Sequence, residues 1–360
     1  MGADLHRTGA VPGDGDGDGS AGPVSSPPSP GRRARRTPRW RRRLRRAAVG
    51  FAGLLVVVTA ASFAYNGVTA GRAAAPRGLT YVQAADIRTR YQTWGHQGPP
   101  VVLVHGAFES VDTWSRLAPL LARDHRVYAL DLTGNGYSER HGPYTVDHFA
   151  RQLLGFIGAM RLGGPGERPL LVGHSSGAAV VTEAALRAPG RLGGVMLLDG
   201  DALDTGAGPP PALTHLLIEP YRTSLLRLGL GTDALIRRMY DSQCGPACPP
   251  LDAAGLDQWR RPLRVRGAES ALWSMLAAGV PGLSADEVAR LAGVRLPKSV
   301  VFGAEDDVFT RRTPQETARR IGAPPPTLIP GARHLTMISS PEAVATAVDG
   351  LTAASAAAGR

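Results

Sequence analysis

The sequence predicts an α/β protein: a mostly parallel sheet flanked by helices, with a helical insertion late in the chain. Three observations carry this. Short apolar runs such as PVVLV at 100–104 and VYALDL at 127–132 alternate with stretches of helical period. Some of these runs are apolar throughout, as strands buried on both faces of a parallel sheet must be. One long segment, 204–293, interrupts the alternation and contains no strand-like run.

The chain has 360 residues, and the first 46 read as a disordered basic tail, DGDGDGDG followed by PVSSPPSPG and an arginine block. Asp14, Asp16 and Asp18 are spaced like the start of a calcium loop. Ser25 stands where the closing carboxylate is needed, so the repeat reads as low complexity. Ten arginines and no acid lie between Arg32 and Arg46, and this run supplies most of the net charge of +11. A basic patch spread over a folded face marks a nucleic-acid binder, whereas a basic run beside an apolar stretch is a membrane-topology signal. No nucleic-acid partner is expected. Residues 47–65 (AAVGFAGLLVVVTAASFAY) carry no charge. As a helix they span about 28 Å, close to the hydrocarbon thickness of a bilayer. The segment is a transmembrane anchor, or a signal segment cut after a small-x-small site such as Val68-Thr69-Ala70. The first reading gives a membrane-anchored protein with an extracytoplasmic catalytic domain, the second a secreted one.

Residues 66–78 read as a linker, 79–350 as the globular domain and 351–360 as a C-terminal tail. Within the domain, Ile87–Trp94 alternates like a half-buried strand, and Pro100–Val104 and Val127–Leu132 follow as strands. Residues 112–123 are helix-like, with Asp112 at the N-cap position. Val146–Arg161 places Phe149, Leu153, Leu154 and Ile157 at helical spacing. Leu170–Val172, Val195–Leu198 and Ser299–Phe302 supply further strands. The insertion 204–293, opened by Pro209–Pro211, contains helix-like pieces at Leu213–Leu228 and Ala268–Leu276, which suits a cap over an active site. Cys244 and Cys248 bracket a Gly-Pro turn, and outside the cytoplasm so close a pair is expected to form a disulfide. No second Cys/His pair has ligand spacing, so no metal site is expected.

The chemistry centres on Gly173-His174-Ser175-Ser176-Gly177, between the strand-like PLLV and a helix-like run. A serine there sits on a tight, strained turn. Glycines two before and two after remove side chains that would collide, and the hydroxyl is presented to the site. Ser175 is the candidate nucleophile. It needs a base, and His334, on a loop after the strand-like PTLI, is placed to supply one. His174, adjacent in sequence, faces another way. The histidine needs an acid. Asp306, after the strand VVFG, is preferred over its neighbours Asp307 and Glu305 and over Asp199 and Asp201 after an earlier strand. Oxyanion donors are expected from the amides of Ser176 and Ala107, with Phe108 next, where Gly106 permits close backbone approach. His105 is expected to be a structural partner of nearby loops.

These motifs, taken in order as HGAF, DLTGNGYSER, GHSSG, FGAEDD and ARHLTM, resemble the α/β-hydrolase family, specifically its members with a helical cap. The resemblance covers most of residues 79–350 and implies the α/β-hydrolase fold. It implies the chain order nucleophile, acid, histidine, borne here by Ser175, Asp306 and His334. It further implies two-step acyl transfer that needs no metal or organic cofactor. Asp-nucleophile members fit less well, because Ser stands at position 175. Carboxylic ester hydrolysis heads the readings. Amide, thioester, lactone and C–C cleavage share the same machinery, as does acyl transfer to an alcohol. A non-catalytic small-molecule binder on the same fold is the reading of a different class. Trp259, Trp273 and Leu276 in the insertion favour an apolar acyl group on the substrate.

Overall fold

The computed structural model describes residues 38–70, 73–204, 206, 210, 217–230 and 232–359. The tail over 1–37, Pro209, Pro211 and the start of the helix expected from Leu213 lie outside the described residues. The chain forms two compact units, Met1–Leu54 and Leu55–Arg360.

Helix α1 (Arg39–Thr69) begins eight residues before the apolar run and ends four residues after it. The stretch 39–46, expected within the disordered tail, is helical, because Arg is a good helix former and continues the helix that the apolar run nucleates. By length and composition α1 is long and apolar enough to cross a membrane.

In the second unit, eight strands form one sheet: β1 (Thr80–Ala84), β2 (Ile87–Trp94), β3 (Pro100–Val104), β4 (Arg126–Leu130), β5 (Leu170–His174), β6 (Gly194–Leu198), β7 (Lys298–Gly303) and β8 (Thr327–Ile329), in the order β1-β2-β4-β3-β5-β6-β7-β8. β1 and β2 pair antiparallel, as do β2 and β4, and every other pair is parallel. The helices follow as α2 (Ala118–Leu121), α3 (Val146–Ala159), α4 (Gly177–Arg187), α5 (Tyr221–Leu230), α6 (Asp233–Cys244), α7 (Ala253–Arg260), α8 (Ala268–Ala278), α9 (Ala285–Arg290), α10 (Thr313–Ile321), α11 (Thr336–Ser339) and α12 (Pro341–Ala358). The helix expected over 112–123 is split into a 3-10 turn at Val111–Trp114 and the short α2. The tail expected from 351 is helical through Ala358 as the end of α12, where the alanine-rich sequence favours helix and Leu351 is buried.

The period-two alternation of strand side chains divides the core. Val102 and Val104 of β3 pack with Phe156 of α3 and Val181 of α4 on one face. Val101 and Leu103 pack with Trp114, Leu117 and α12 residues Val344 and Val348 on the other. Burying a side chain such as Phe156 stabilises by about 1.5–3 kcal/mol. Both faces are thus covered, and the strand ends are where polar chemistry can reach solvent.

The excursion between β6 and β7 is helical among the described residues. Its base is pinched by a parallel bridge between Leu203 and Leu283. α9, within the range 204–293 expected for the insertion, follows this bridge and packs on α4 and α10. A disulfide joins Cys244 to Cys248 at the end of α6, with the Cα atoms 5.6 Å apart.

Candidate active site

Ser175 follows the last residue of β5, and α4 starts two residues later. Its φ is +51°, in the left-handed region that L residues avoid. Such a conformation costs on the order of 1–3 kcal/mol and persists only where the surroundings impose it. Here Ser175 N–H donates to Leu198 O of β6 (2.9 Å), and Ala178 N–H donates to Ser175 O (2.9 Å). The glycines are needed for space. A Cβ on Gly177 would lie 2.5 Å from the Val104 carbonyl oxygen, and one on Gly106 would lie 3.0 Å from Ser175 Cβ. Gly173 is closed off in the same way by the Gly177 carbonyl.

β7 and β8 end on the same edge of the sheet. Asp306, just past β7, turns its Oδ1 to accept from Val308 N–H (2.9 Å). Its Oδ2 lies 2.9 Å from Nδ1 of His334, which follows β8. Both side chains are buried, at 3% and 5% exposure. A proton on Nδ1 satisfies this bond and leaves Nε2 as the ring's free acceptor, the tautomer a general base requires. Of the competing acids, Glu305 and Asp307 are exposed. Asp201 accepts from Leu203 N–H (3.0 Å). Asp199 lies fully buried at the end of β6, where it accepts from Gly303 N–H (2.8 Å) and from the Thr336 hydroxyl. Burial pushes its carboxyl up to about 7, against the opposing pull of His334 and the Thr336 hydrogen bond.

The loop after β3 carries the expected oxyanion donors. Phe108 has φ +63° and spends its N–H on Asn135 Oδ1 (3.2 Å). Among the described residues, the amides of Ala107 and Ser176 donate to no protein acceptor. His105 is structural: Nδ1 bonds Gly106 O (2.7 Å), and Nε2 accepts from Leu132 N–H (3.0 Å).

Sequence reasoning missed a buried strut beneath these groups. Glu109 Oε1 lies 3.0 Å from His174 Nδ1, and Glu109 Oε2 accepts from Gly106 N–H (3.1 Å). The other ring nitrogen of His174, Nε2, donates to the backbone oxygen of His334 (2.9 Å). Burial pushes the Glu109 carboxyl up, but the His174 charge and hydrogen bond outweigh it and hold it below its ordinary range. Burial likewise pushes His174 down, and Glu109 with the His334 carbonyl raises it above its ordinary value. Both ring nitrogens of His174 thus face acceptors, and the pair ties the loop after β3 to the loop that bears His334. Its only hint in sequence is an acid and a histidine each set beside a predicted site loop.

The helical excursion meets the loop after β3 through α8. Leu272 and Met275 are buried and line a small cavity, about 10 Å³, with Phe108 and Asn135. Trp259 lines a second of similar size with Phe108 and Asp112. Trp273 and Leu276, read in the sequence as favouring an apolar acyl group, lie one step around α8 and are half-buried. Arg222 stacks over the Trp273 ring at 5.4 Å. A concavity of about 1210 Å³ opens at the opposite edge beside Pro100, Leu170 and Gly193, away from Ser175.

The chain is 39% identical over 103 residues to 2-hydroxy-6-oxo-6-(2'-aminophenyl)hexa-2,4-dienoic acid hydrolase of Metapseudomonas resinovorans, covering 28% of this chain and about a third (34%) of that relative's length. It is 26% identical over 258 residues to pimeloyl-[acyl-carrier protein] methyl ester esterase of Edwardsiella ictaluri, covering 70% of this chain and 92% of that one. The crystal structure of a bacterial membrane phospholipase A superposes with a TM-score of 0.60 at 21% identity, covering 88% of this chain and 98% of that one, which shows a shared fold. The profile of the alpha/beta hydrolase family matches residues 101–347, from β3 into α12 and across every loop described above. That match spans more than half of the sequence, and the chain belongs to the alpha/beta hydrolase family.

Proposed function

We propose that this chain is a serine hydrolase, tethered to a membrane by α1, that cleaves a carboxylic ester or related acyl bond of a small-molecule substrate. The observation that carries this reading is the buried His334–Asp306 hydrogen bond at the sheet edge where Ser175 occupies its strained strand-to-helix turn. Ser175 Oγ attacks the substrate carbonyl while His334 Nε2 takes its proton, and Asp306 stabilises the imidazolium. The amides of Ala107 and Ser176 bind the tetrahedral oxyanion. His334 then protonates the leaving alcohol. Water, deprotonated by the same nitrogen, attacks the acyl-enzyme, and collapse of the second tetrahedral intermediate frees the acid and Ser175. The hydrolase and esterase names of the two relatives support hydrolysis over non-catalytic binding.

The retained anchor draws support from contacts of α1. Arg227 of the cap donates to Asn66 O (2.5 Å) and Thr69 Oγ1 (2.8 Å), and Asn66 Nδ2 donates to Pro220 O (2.8 Å). Cleavage after Ala70 removes all three bonds. The Cys244–Cys248 disulfide suits an extracytoplasmic domain.

The test is hydrolysis of a short chromogenic ester by the purified protein. Ser175→Ala is expected to lower the rate at least ~10³-fold. Equal rates in the two proteins contradict the assignment.

A further inference from the structure

His334 is held from outside the sheet as well as from its edge. At the edge, Asp306 faces its Nδ1, and His174 Nε2 donates to its backbone oxygen. Its two chain neighbours bond the other way, onto the last turn of α6 in the helical excursion. Arg333 Nη1 donates to Ser242 O (3.1 Å), and Leu335 N–H donates to Gln243 O (3.3 Å). The last four carbonyls of an α-helix lack a partner within it, so Ser242 and Gln243 have acceptors to offer. The residues on either side of the histidine thus bond consecutive carbonyls immediately before Cys244.

The same turn is closed covalently by the Cys244–Cys248 disulfide. Cys244 is fully buried in the apolar cluster that contains Ala332 and Leu335, and Cys248 is half-buried. Between them Gly245 has φ +76°, and a Cβ there would lie 3.0 Å from Cδ of Arg333, so the arginine stem crosses directly over the turn. Past the second cysteine, Pro249 O accepts from the Tyr240 hydroxyl (2.9 Å) and Leu251 O from Arg237, which folds the following segment back along α6. Helix ends fray, and their carbonyls hold a neighbouring loop only while the turn keeps its shape. Closing so short a loop constrains the unfolded chain less than closing a long one. Fixing the end of α6 beside His334 is the more local consequence of the bond.

We propose that the disulfide-closed end of α6 is a clamp on the general base: Arg333 and the Cys244–Cys248 bond act through the backbone on either side of His334 and keep its ring facing Asp306. Arg333 and the two cysteines are positioning residues, and they work through the histidine. Turnover is then sensitive to reduction. Opening the bond frees the last turn of α6, and the two flanking hydrogen bonds lose their fixed acceptors. The imidazole then samples orientations from which Nε2 does not receive the serine proton. A misplacement of about 1 Å in a reacting group can cost about 10²-fold in rate. Substrate binding does not pass through this contact, so kcat falls while KM holds. The inference rests on the reading of Ser175 as nucleophile and His334 as its base. It adds that an element of the excursion, and not the sheet edge alone, positions that base.

The experiment uses the full chain in detergent micelles. A water-soluble phosphine opens the disulfide: phosphorus is oxidised to the phosphine oxide with oxygen from water, and the two sulfurs become thiols with the protons of that water. Both side chains stay in place, so core packing is retained. The phosphine is then removed under anaerobic conditions. On a short chromogenic ester the reduced protein is expected to keep KM within about twofold and to lose kcat about tenfold or more, and reoxidation restores it. Fluorophosphonate labelling of Ser175 slows in step. In the oxidised protein Arg333→Ala lowers kcat in the same way, and Arg333→Lys, whose ammonium still reaches a carbonyl, recovers most of it. Reducing Arg333→Ala costs less than the product of the separate effects, because both act through one clamp. Unchanged kcat in protein whose thiols titrate as free overturns the clamp. So does a loss of kcat that tracks the unfolded fraction by circular dichroism, since the bond then acts on folding alone. A Ser175 adduct with turnover indifferent to reduction overturns the clamp and spares the nucleophile. Oxidised protein labelled on another serine overturns both.

Discussion

Asp199 and Asp306 are two carboxylates on neighbouring strand ends, and their surroundings separate their roles. Asp306 faces the ring of His334, while Asp199 is fully buried and bonded to Gly303 and Thr336. A carboxyl whose folded pKa is raised favours folding below its unfolded pKa and loses that contribution as pH rises toward the folded one. With Asp199 pushed up to about 7 from an ordinary 3.8, its contribution declines from about pH 4 to about pH 7. Asp199→Asn removes the titration. Urea midpoints measured at about pH 5 and about pH 8 should show the variant gaining on the native protein at the higher pH. Parallel profiles contradict the assignment. The triad candidates were legible at this scale because the chemistry demands particular side chains at strand ends. The Glu109–His174 strut was not, since its partners are far apart in sequence and nothing local marks either as buried.

Two strands were found at the expected bounds, the alternating Ile87–Trp94 and the fully apolar Pro100–Val104. β1 escaped notice because TYVQA is an edge strand, mostly half-buried or exposed, and lacks an apolar run. In α8, Trp273 and Leu276 drew notice as apolar side chains, but Leu272 and Met275 are the ones that turn inward, and composition alone does not tell these pairs apart. The end of α6 is specified more firmly. Arg333 donates to Ser242 O (3.1 Å) and Leu335 N–H to Gln243 O (3.3 Å), which ties the disulfide-closed turn to the loop bearing His334. Cys248→Ser is expected to cost about 2 kcal/mol in the chain-entropy account, read as a lowered denaturant midpoint under non-reducing conditions. An unchanged midpoint contradicts the disulfide's contribution.

For the whole molecule, the proposed anchor sets the expected topology: arginines before an apolar span stay on the cytoplasmic side, which puts the domain on the other. Alkaline phosphatase fused after Arg360 should be active in an intact bacterial host. Activity only of a cytoplasm-dependent reporter at the same position contradicts that placement. The central claim concerns Ser175, and it is tested most directly by labelling the intact protein with a fluorophosphonate and mapping the modified peptide. The account predicts a single adduct, on Ser175, lost in Ser175→Ala and sharply slowed in His334→Ala. An adduct on another serine, or undiminished labelling of Ser175→Ala, would contradict it.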